Sequence, residues 1–258
     1  NDLSKIQFVL KAKEDIYSPV DGSLMFAKDE KITTENSRAI VNTGTEIGKG
    51  IYALSKDGQL DISNLPMGTG EAKYYFEEVK TLDGCVLDEA KQSFTFRQKD
   101  FTTKNYSKDL NVENKTTHFE FNKTDVTGDK EVLGAQLTIT DEKGNVIDQW
   151  SSTDKPHSIE GLVVGKTYTL SETVTAKDYV KATDIRFTVK NSSELETVTM
   201  KDKQVSFTKT DVTGEKEVEG ATITVKEKET GKVIDEWTST KESHFINGLE
   251  EDKTYILS

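Results

Sequence analysis

The chain repeats itself. FNKTDVTGDKEVLGA, starting at Phe121, returns as FTKTDVTGEKEVEGA from Phe207, 86 residues on. Downstream, VIDQWSST returns as VIDEWTST, and GLVVGKTYTLS as GLEEDKTYILS. Solenoid units recur every 20–50 residues or so, roughly half this period. The longer period suits a small autonomous domain set in tandem, and 258 residues leave room for two or three of them. In the first copy Ser171 is followed by Glu172, whereas the second copy reaches its matching serine at Ser258. The expectation is therefore a piece cut from a longer polypeptide.

The second unit, 116–202, is the clearest. Short alternating segments recur at Phe119–Lys123, Leu137–Ile139, Tyr168–Glu172, Ile185–Val189 and Val198–Met200. Alternation of period two over such lengths marks half-buried strands. Turn-forming residues separate them at Thr127–Asp129, Glu142–Asn145 and Glu160–Gly161. No window offers a long amphipathic helix. Many short strands at close spacing predict an all-β sandwich. The third unit, 203–258, follows the same pattern with one extra residue in a hairpin and lacks about the last third of its domain. The first unit, 1–115, is a divergent relative: Tyr74-Tyr-Phe-Glu-Glu78 stands where Tyr168-Thr-Leu-Ser-Glu172 stands in the second. Almost no linker separates the units, which predicts a semi-rigid rod of tandem sandwiches.

Composition narrows the functions. A net charge of −12 argues against nucleic-acid partners, whose phosphates need clustered lysine and arginine. No run reaches the ~18 apolar residues of a membrane span. Cys85 is the only cysteine, so neither an internal disulfide nor a thiol-based metal site is available. His118, His157 and His244 have none of the spacings that put two ligands on one face, so no metal or other cofactor is expected. A hydrolytic enzyme is disfavoured too, for want of a Gly-x-Ser-x-Gly elbow, a metal-ligand pair or a phosphate-cradling loop.

Three polar residues point the wrong way. Residues of like parity share one face of a strand. Phe119, Phe121 and Lys123 share parity; so do Tyr168, Leu170 and Glu172; so do Val198, Met200 and Asp202. One unit thus aims a lysine and two acids at its core from three separate strands. Unpaired buried charges cost several kcal/mol each, on the order of the net stability of a small domain. Two readings are open. The three residues stand at strand ends with their heads in water, or they react. A desolvated lysine can be a neutral amine nucleophile, and a buried carboxylic acid can stay protonated and polarise a carbonyl. Lys123 attacking Asp202 with help from Glu172 would expel water and leave one neutral amide.

These segments carry a resemblance. LysThrAsp near a first strand, GlyAla-x-Leu, TyrThrLeuSerGluThr, IleArgPheThrVal and ValThrMetLysAsp, in this order, resemble the CnaB/SpaA-type, prealbumin-like domains of Gram-positive surface proteins and pilins. The second unit is similar in particular to the streptococcal domain split to make SpyTag and SpyCatcher. The likeness covers 116–202 and the surviving part of the third unit. It is weaker over the first, where Ile6–Ile16, AsnLeuProMetGly and AspGlyCysValLeuAsp resemble the pilin-type variant. In that family an autocatalytic Lys–Asn or Lys–Asp isopeptide bond, assisted by a glutamate, joins the first and last strands. The resemblance makes Lys123 the nucleophile, Glu172 the assisting acid and Asp202 the electrophile. In the first unit it makes Glu78 the acid and Asn114 the electrophile, with the lysine expected on a strand preceding Leu3. Lys5 and Lys11 are poor substitutes because they alternate with Ile6, Phe8 and Leu10. In the third unit Lys209 matches the nucleophile and its partners are expected beyond Ser258. One bond and two unpaired half-sites are thus expected, with Cys85 a partly buried, inert thiol.

The resemblance implies an extracellular, cell-wall-anchored surface protein. Its leading function is a structural stalk, with neighbouring domains of the same longer chain as partners and any host ligand bound through other regions. The alternative is an adhesive module that binds a host protein or glycan itself. Trp150 and Trp237 are the candidate sugar-stacking residues; exposure on a concave face would favour binding, and burial the stalk. The third unit, without its closing strands, is expected to be loosely ordered or completed by a neighbouring segment.

Overall fold

The alternating segments become strands because one face of each is apolar and its turns are chemically marked. Asp125 shows how. Its Oδ1 accepts the amides of Thr127 at 3.1 Å and Gly128 at 3.0 Å, and Gly128 takes the left-handed φ of 84° that closes the turn. The repeat reproduces it: Asp211 Oδ1 accepts from Thr213 at 3.0 Å and Gly214 at 3.1 Å. The computed structural model describes residues 2–98 and 106–258. They form two compact bodies, one of Asn1–Thr116 with Asn191–Ser193, the other of Thr117–Lys190 with Glu194–Ser258.

In the first unit a five-stranded sheet runs in the order Thr45–Gly48, Ile51–Ala53, Gln7–Ala12, Glu71–Lys80, Gln92–Arg97. Two small pairs, Ile16–Tyr17 with Leu24–Phe26 and Ile40–Thr43 with Asp61–Ser63, complete the strands, and the short helix Thr34–Ser37 is the only α-helix among the described residues. Leu10, Tyr52, Tyr74, Phe26 and Ile32 fill the core.

The second unit is a sandwich of two sheets. One has three strands, His157–Glu160, His118–Asp125 and Leu195–Asp202; the other has four, Val146–Ser151, Gln136–Thr140, Thr167–Val174 and Ile185–Thr188. His118–Asp125 is the middle strand of the smaller sheet. It pairs antiparallel with His157–Glu160 and parallel with Leu195–Asp202 in unbroken register from His118↔Leu195 to Asp125↔Asp202. Phe119, Phe121, Leu137, Ile139, Leu170 and Met200 interleave between the sheets, each no more than 2 % exposed.

The third repeat does not stand apart. Its sheet of Val233–Thr238, Thr222–Glu227 and Tyr255–Leu257 and its pair Ser206–Phe207 with His244–Phe245 belong to the same compact body as the second unit. The junction at Asp202 is bridged: Val180 pairs with Lys203, Lys181 with Glu250, and Val180 joins Val225, Ile246 and Leu249 in one buried cluster. A neighbouring segment thus supplies part of this repeat's core.

Candidate functional site

Strand period alone carries Lys123 inward, one step beyond Phe119 and Phe121 on the same face. Asp202 arrives on the adjacent parallel strand by the same parity, behind Met200. Glu172 comes from the opposite sheet, beyond Tyr168 and Leu170. The three meet in the dry interior: Lys123 is 2 % exposed, Glu172 1 % and Asp202 1 %. Lys123 Nζ donates to Asp202 Oδ1 and lies 3.2 Å from Glu172 Oε1. Glu172 is fixed from behind, its Oε2 accepting the Ala182 amide at 2.8 Å. Asp202 Oδ2 is buried without a hydrogen-bond partner.

The electrostatics follow from that burial. An ammonium with two carboxylates is a net negative cluster in a medium that solvates it poorly. Burial pushes the Asp202 carboxyl up to about 6, and Glu172 beside it pushes the same way against the pull of Lys123. The chemistry open to such a group is condensation: an amine against a carboxyl that burial makes easier to protonate, with a second carboxyl in reach to move protons.

The first unit holds the same construction without the amine. Glu78 is 4 % exposed, and Asn114 Nδ2 donates to its Oε1 at 2.8 Å and to Thr81 Oγ1 at 2.7 Å. Glu78 Oε2 accepts the Asp88 amide at 2.7 Å, from the residue ten positions on, as Ala182 is from Glu172. Both acids also sit at the same kink. Pairing slips between Gln7 and Phe8, with Phe8 opposite Glu78, and between Gln136 and Leu137, with Leu137 opposite Glu172. The extra residue, Val79 or Thr173, follows the acid directly; such bulges bend a strand and re-aim its side chains next to reactive sites. Sequence reasoning found the acids but neither the bulges nor the backbone donors that hold them.

The other candidates fall elsewhere. Lys5 is exposed, and Lys11 is half-buried and paired with Glu77 at 2.7 Å, away from Glu78. Lys209 is exposed and donates to the Thr210 carbonyl at 3.4 Å. Cys85 is half-buried, its thiol pushed up by burial and by the charge of Glu78, which keeps it from the reactive thiolate form. Trp150 and Trp237 are half-buried and repeat one arrangement. Each ring stacks on a histidine at 4.2 Å, His157 or His244, which in turn bonds Asp148 or Asp235 at 2.8 Å. Trp150 also packs on Phe121 at 5.6 Å. Packing occupies these rings. No group of three or more metal-ligating side chains occurs among the described residues, and no helix among them is long and apolar enough to cross a membrane.

Similar folds have been solved. The Bacillus anthracis TIE protein matches all of this chain at 21 % identity with a TM-score of 0.42, and this chain spans 43 % of it. A streptococcal ancillary pilin matches 77 % of the chain and 68 % of its own length at 18 % identity and a TM-score of 0.33. A mutant of the shaft pilin SpaA from Lactobacillus rhamnosus GG matches 80 % of the chain and 94 % of its own at 15 % identity and a TM-score of 0.30. A comparison with curated protein sequences returns no match. The sequence profile of the SpaA prealbumin-like fold domain matches residues 1–110 and again 117–204. Together with the tandem all-β sandwiches, this places the chain in the SpaA prealbumin-like fold domain family.

Proposed function

We propose that this chain is a stalk segment of a Gram-positive surface protein, and that its second unit locks itself with a Lys123–Asp202 isopeptide bond assisted by Glu172. One observation carries the reading: an amine and two carboxyls meet at no more than 2 % exposure between the first and last strands of one sandwich. Lys123 Nζ attacks Asp202 Cγ, the Cγ–OH bond breaks and water leaves. Glu172 takes a proton from the attacking nitrogen and delivers one to the departing oxygen, ending as it began. The net change turns an ammonium and a carboxylate into an amide and water, removing two charges from an interior that penalises them. The event happens once per unit and acts on no outside substrate.

The bond suits a stalk. It closes a loop of 79 positions, which on the chain-entropy account adds on the order of 4–5 kcal/mol through the unfolded state. It needs no oxidising compartment, fitting a chain with one cysteine. Tandem repetition of the unit adds length, and family membership supports a place outside the cell, anchored to the wall, among further domains of the same polypeptide. The two tryptophans are half-buried and each stacks on a histidine, which supports a packing role ahead of direct binding of a host ligand.

The test is the intact mass. The purified chain is expected one water lighter than its sequence, and Lys123→Ala or Asp202→Ala is expected to restore the full mass. A full mass for the unaltered chain would sink the reading.

A further inference from the structure

Glu172 is held by a segment that the third repeat holds in turn. The connection between the strands Thr167–Val174 and Ile185–Thr188 carries Ala182, whose amide donates to Glu172 Oε2 at 2.8 Å. The amides on either side of it go to the third repeat. Lys181 donates to the Leu249 carbonyl at 2.9 Å, and Thr183 to Glu251 Oε2 at 3.3 Å. Earlier in the same connection the Asp178 amide donates to Asn247 Oδ1. Asp178 takes a left-handed φ of 69°, a conformation that favours glycine, and the Asn247 contact helps to hold it there.

Glu251 also grips the other side of the site. Its Oε2 accepts the Thr183 hydroxyl as well as the amide, and its Oε1 accepts from Lys203 Nζ at 2.6 Å. Lys203 directly follows Asp202, and its carbonyl accepts the Val180 amide at 2.8 Å. One carboxylate thus touches the residue after Ala182 and the residue after Asp202. Lys203 is 60 % exposed, so the ion pair contributes little by itself and the weight falls on the bonds to Thr183. Hydrogen bonds from Lys203 and Thr183 hold the Glu251 carboxyl below the ordinary glutamate range, which keeps it an acceptor. Apolar packing seats the grip, with Val180, Ile246 and Leu249 buried together. Repetition alone does not produce it: Asn247 and Glu251 stand where the second repeat has Glu160 and Val164.

We propose that Glu251 is a positioning residue for the second unit: by pinning the neighbours of Ala182 and Asp202, the docked third repeat sets Glu172 and Asp202 against Lys123 and speeds closure of their bond. The inference rests on the Lys123–Asp202 reading and adds an order of events to it. The third repeat docks first, and the second unit then closes at its full rate. Closure in one domain thus waits on the seating of the next. The chemistry itself is unchanged: nitrogen bonds to Asp202 Cγ, water leaves, and Glu251 exchanges no proton with the reacting groups. Its leverage is geometric, because a displacement of about 1 Å set off far from the reacting atoms can cost on the order of a hundredfold in rate.

The experiment follows closure in the whole chain. Cell-free synthesis, quenched in acidic denaturant at successive times, gives the closing rate as the growing fraction that is one water light. Glu251→Ala is expected to slow closure about tenfold or more. Glu251→Gln keeps an acceptor for Thr183 and is expected to close within about threefold of the unaltered chain, the scale of a lost surface ion pair. Thr183→Val removes the hydroxyl bond, leaves the third repeat unaltered, and is expected to slow closure in the same direction by less. Site-resolved hydrogen exchange on the finished chains separates positioning from general loosening. In Glu251→Ala the Ala182 amide is expected to exchange about tenfold faster, while the amides of His118–Asp125 keep their protection. Three results overturn the proposal: an ordinary closing rate in Glu251→Ala, slow closure with Ala182 still protected, or faster exchange throughout both sheets of the second unit. A full mass for the unaltered chain overturns the bond and this proposal together, whereas a bonded chain indifferent to Glu251→Ala overturns this proposal alone.

Discussion

Lys123 and Lys209 hold the same place in two copies of one repeat, yet Lys123 is 2 % exposed and Lys209 lies in solvent. Their local sequences, FNKTDVTG and FTKTDVTG, are almost the same, and their turns are built alike. What differs is the company. Lys123 is covered by a parallel partner strand and met by acids from two directions; the strand before Lys209, Ser206–Phe207, ends short of it and pairs only with His244–Phe245. The environment that buries a lysine among acids is therefore tertiary and is not carried by the motif.

Amine chemistry should separate the two. Brief treatment of the native chain with an acetylating reagent is expected to modify Lys209 and leave Lys123 untouched, because a reagent must reach the amine to acylate it. Peptide mapping reads the outcome, and comparable labelling of the two lysines would contradict the burial of Lys123.

The electrophile needs a carbonyl with a leaving group, and that is checked by two substitutions at one position. Asp202→Asn is expected to give the same final mass as the unaltered chain, since loss of ammonia from asparagine and loss of water from aspartate leave the same amide. Asp202→Ala is expected to give an unmodified chain in which the buried Lys123 keeps Glu172 as its one acidic partner, with a stability loss of at least the ~4–5 kcal/mol assigned to loop closure. Chemical denaturation read beside the mass distinguishes the effects. An unmodified Asp202→Asn chain would mean that the site requires a carboxylic acid.

Glu172→Gln is expected to slow or stop closure while keeping the fold, which leaves Asp202 free to titrate. Burial, the largest influence on Asp202, raises its carboxyl above the ordinary aspartate value of 3.8. The folded state then holds the proton more tightly than the unfolded state. The site's contribution is fully present below about 3.8 and falls away as pH rises toward about 6. The substitution removes the push of Glu172, so the window narrows from its upper end and the effect stays below about 3 kcal/mol. Urea midpoints across this range are expected to fall with rising pH more steeply for the variant than for the bonded chain. Equal slopes would remove Asp202 as a titrating group.

Much of this site is legible in the sequence because strand parity is a strict rule. Once Phe119 and Phe121 are taken as core, Lys123 has to follow them, and the same step places Glu172 and Asp202. The supports are not legible. The amides of Ala182 and Asp88 that hold the two acids are backbone groups with no side-chain signature. The bulges at Val79 and Thr173 interrupt no pattern that periodicity detects. Val146–Ser151 and His157–Glu160 escape as strands because Val146 and Ile147 are both exposed and His157–Glu160 is short and mostly polar. The union of the second and third repeats is hidden for another reason. It turns on Val180, a single apolar residue in a connection, and no period announces such a residue.

The last prediction concerns force. Parallel pairing sets the start of His118–Asp125 and the end of Leu195–Asp202 at opposite ends of one strand pair, so tension along the chain loads that pair in shear. With a Lys123–Asp202 bond, tension entering along the first strand crosses the amide and leaves at Asp202, bypassing everything between them. A single-molecule pulling trace of the bonded chain is expected to lack the extension of this segment. Asp202→Ala is expected to restore it as a step of about 280 Å, from about 80 released residues at about 3.5 Å each. The step should appear in Lys123→Ala and vanish in any variant that keeps the mass deficit. A trace showing the full step in a chain one water light would place the lost water elsewhere and end the case for a force-bearing amide at this site.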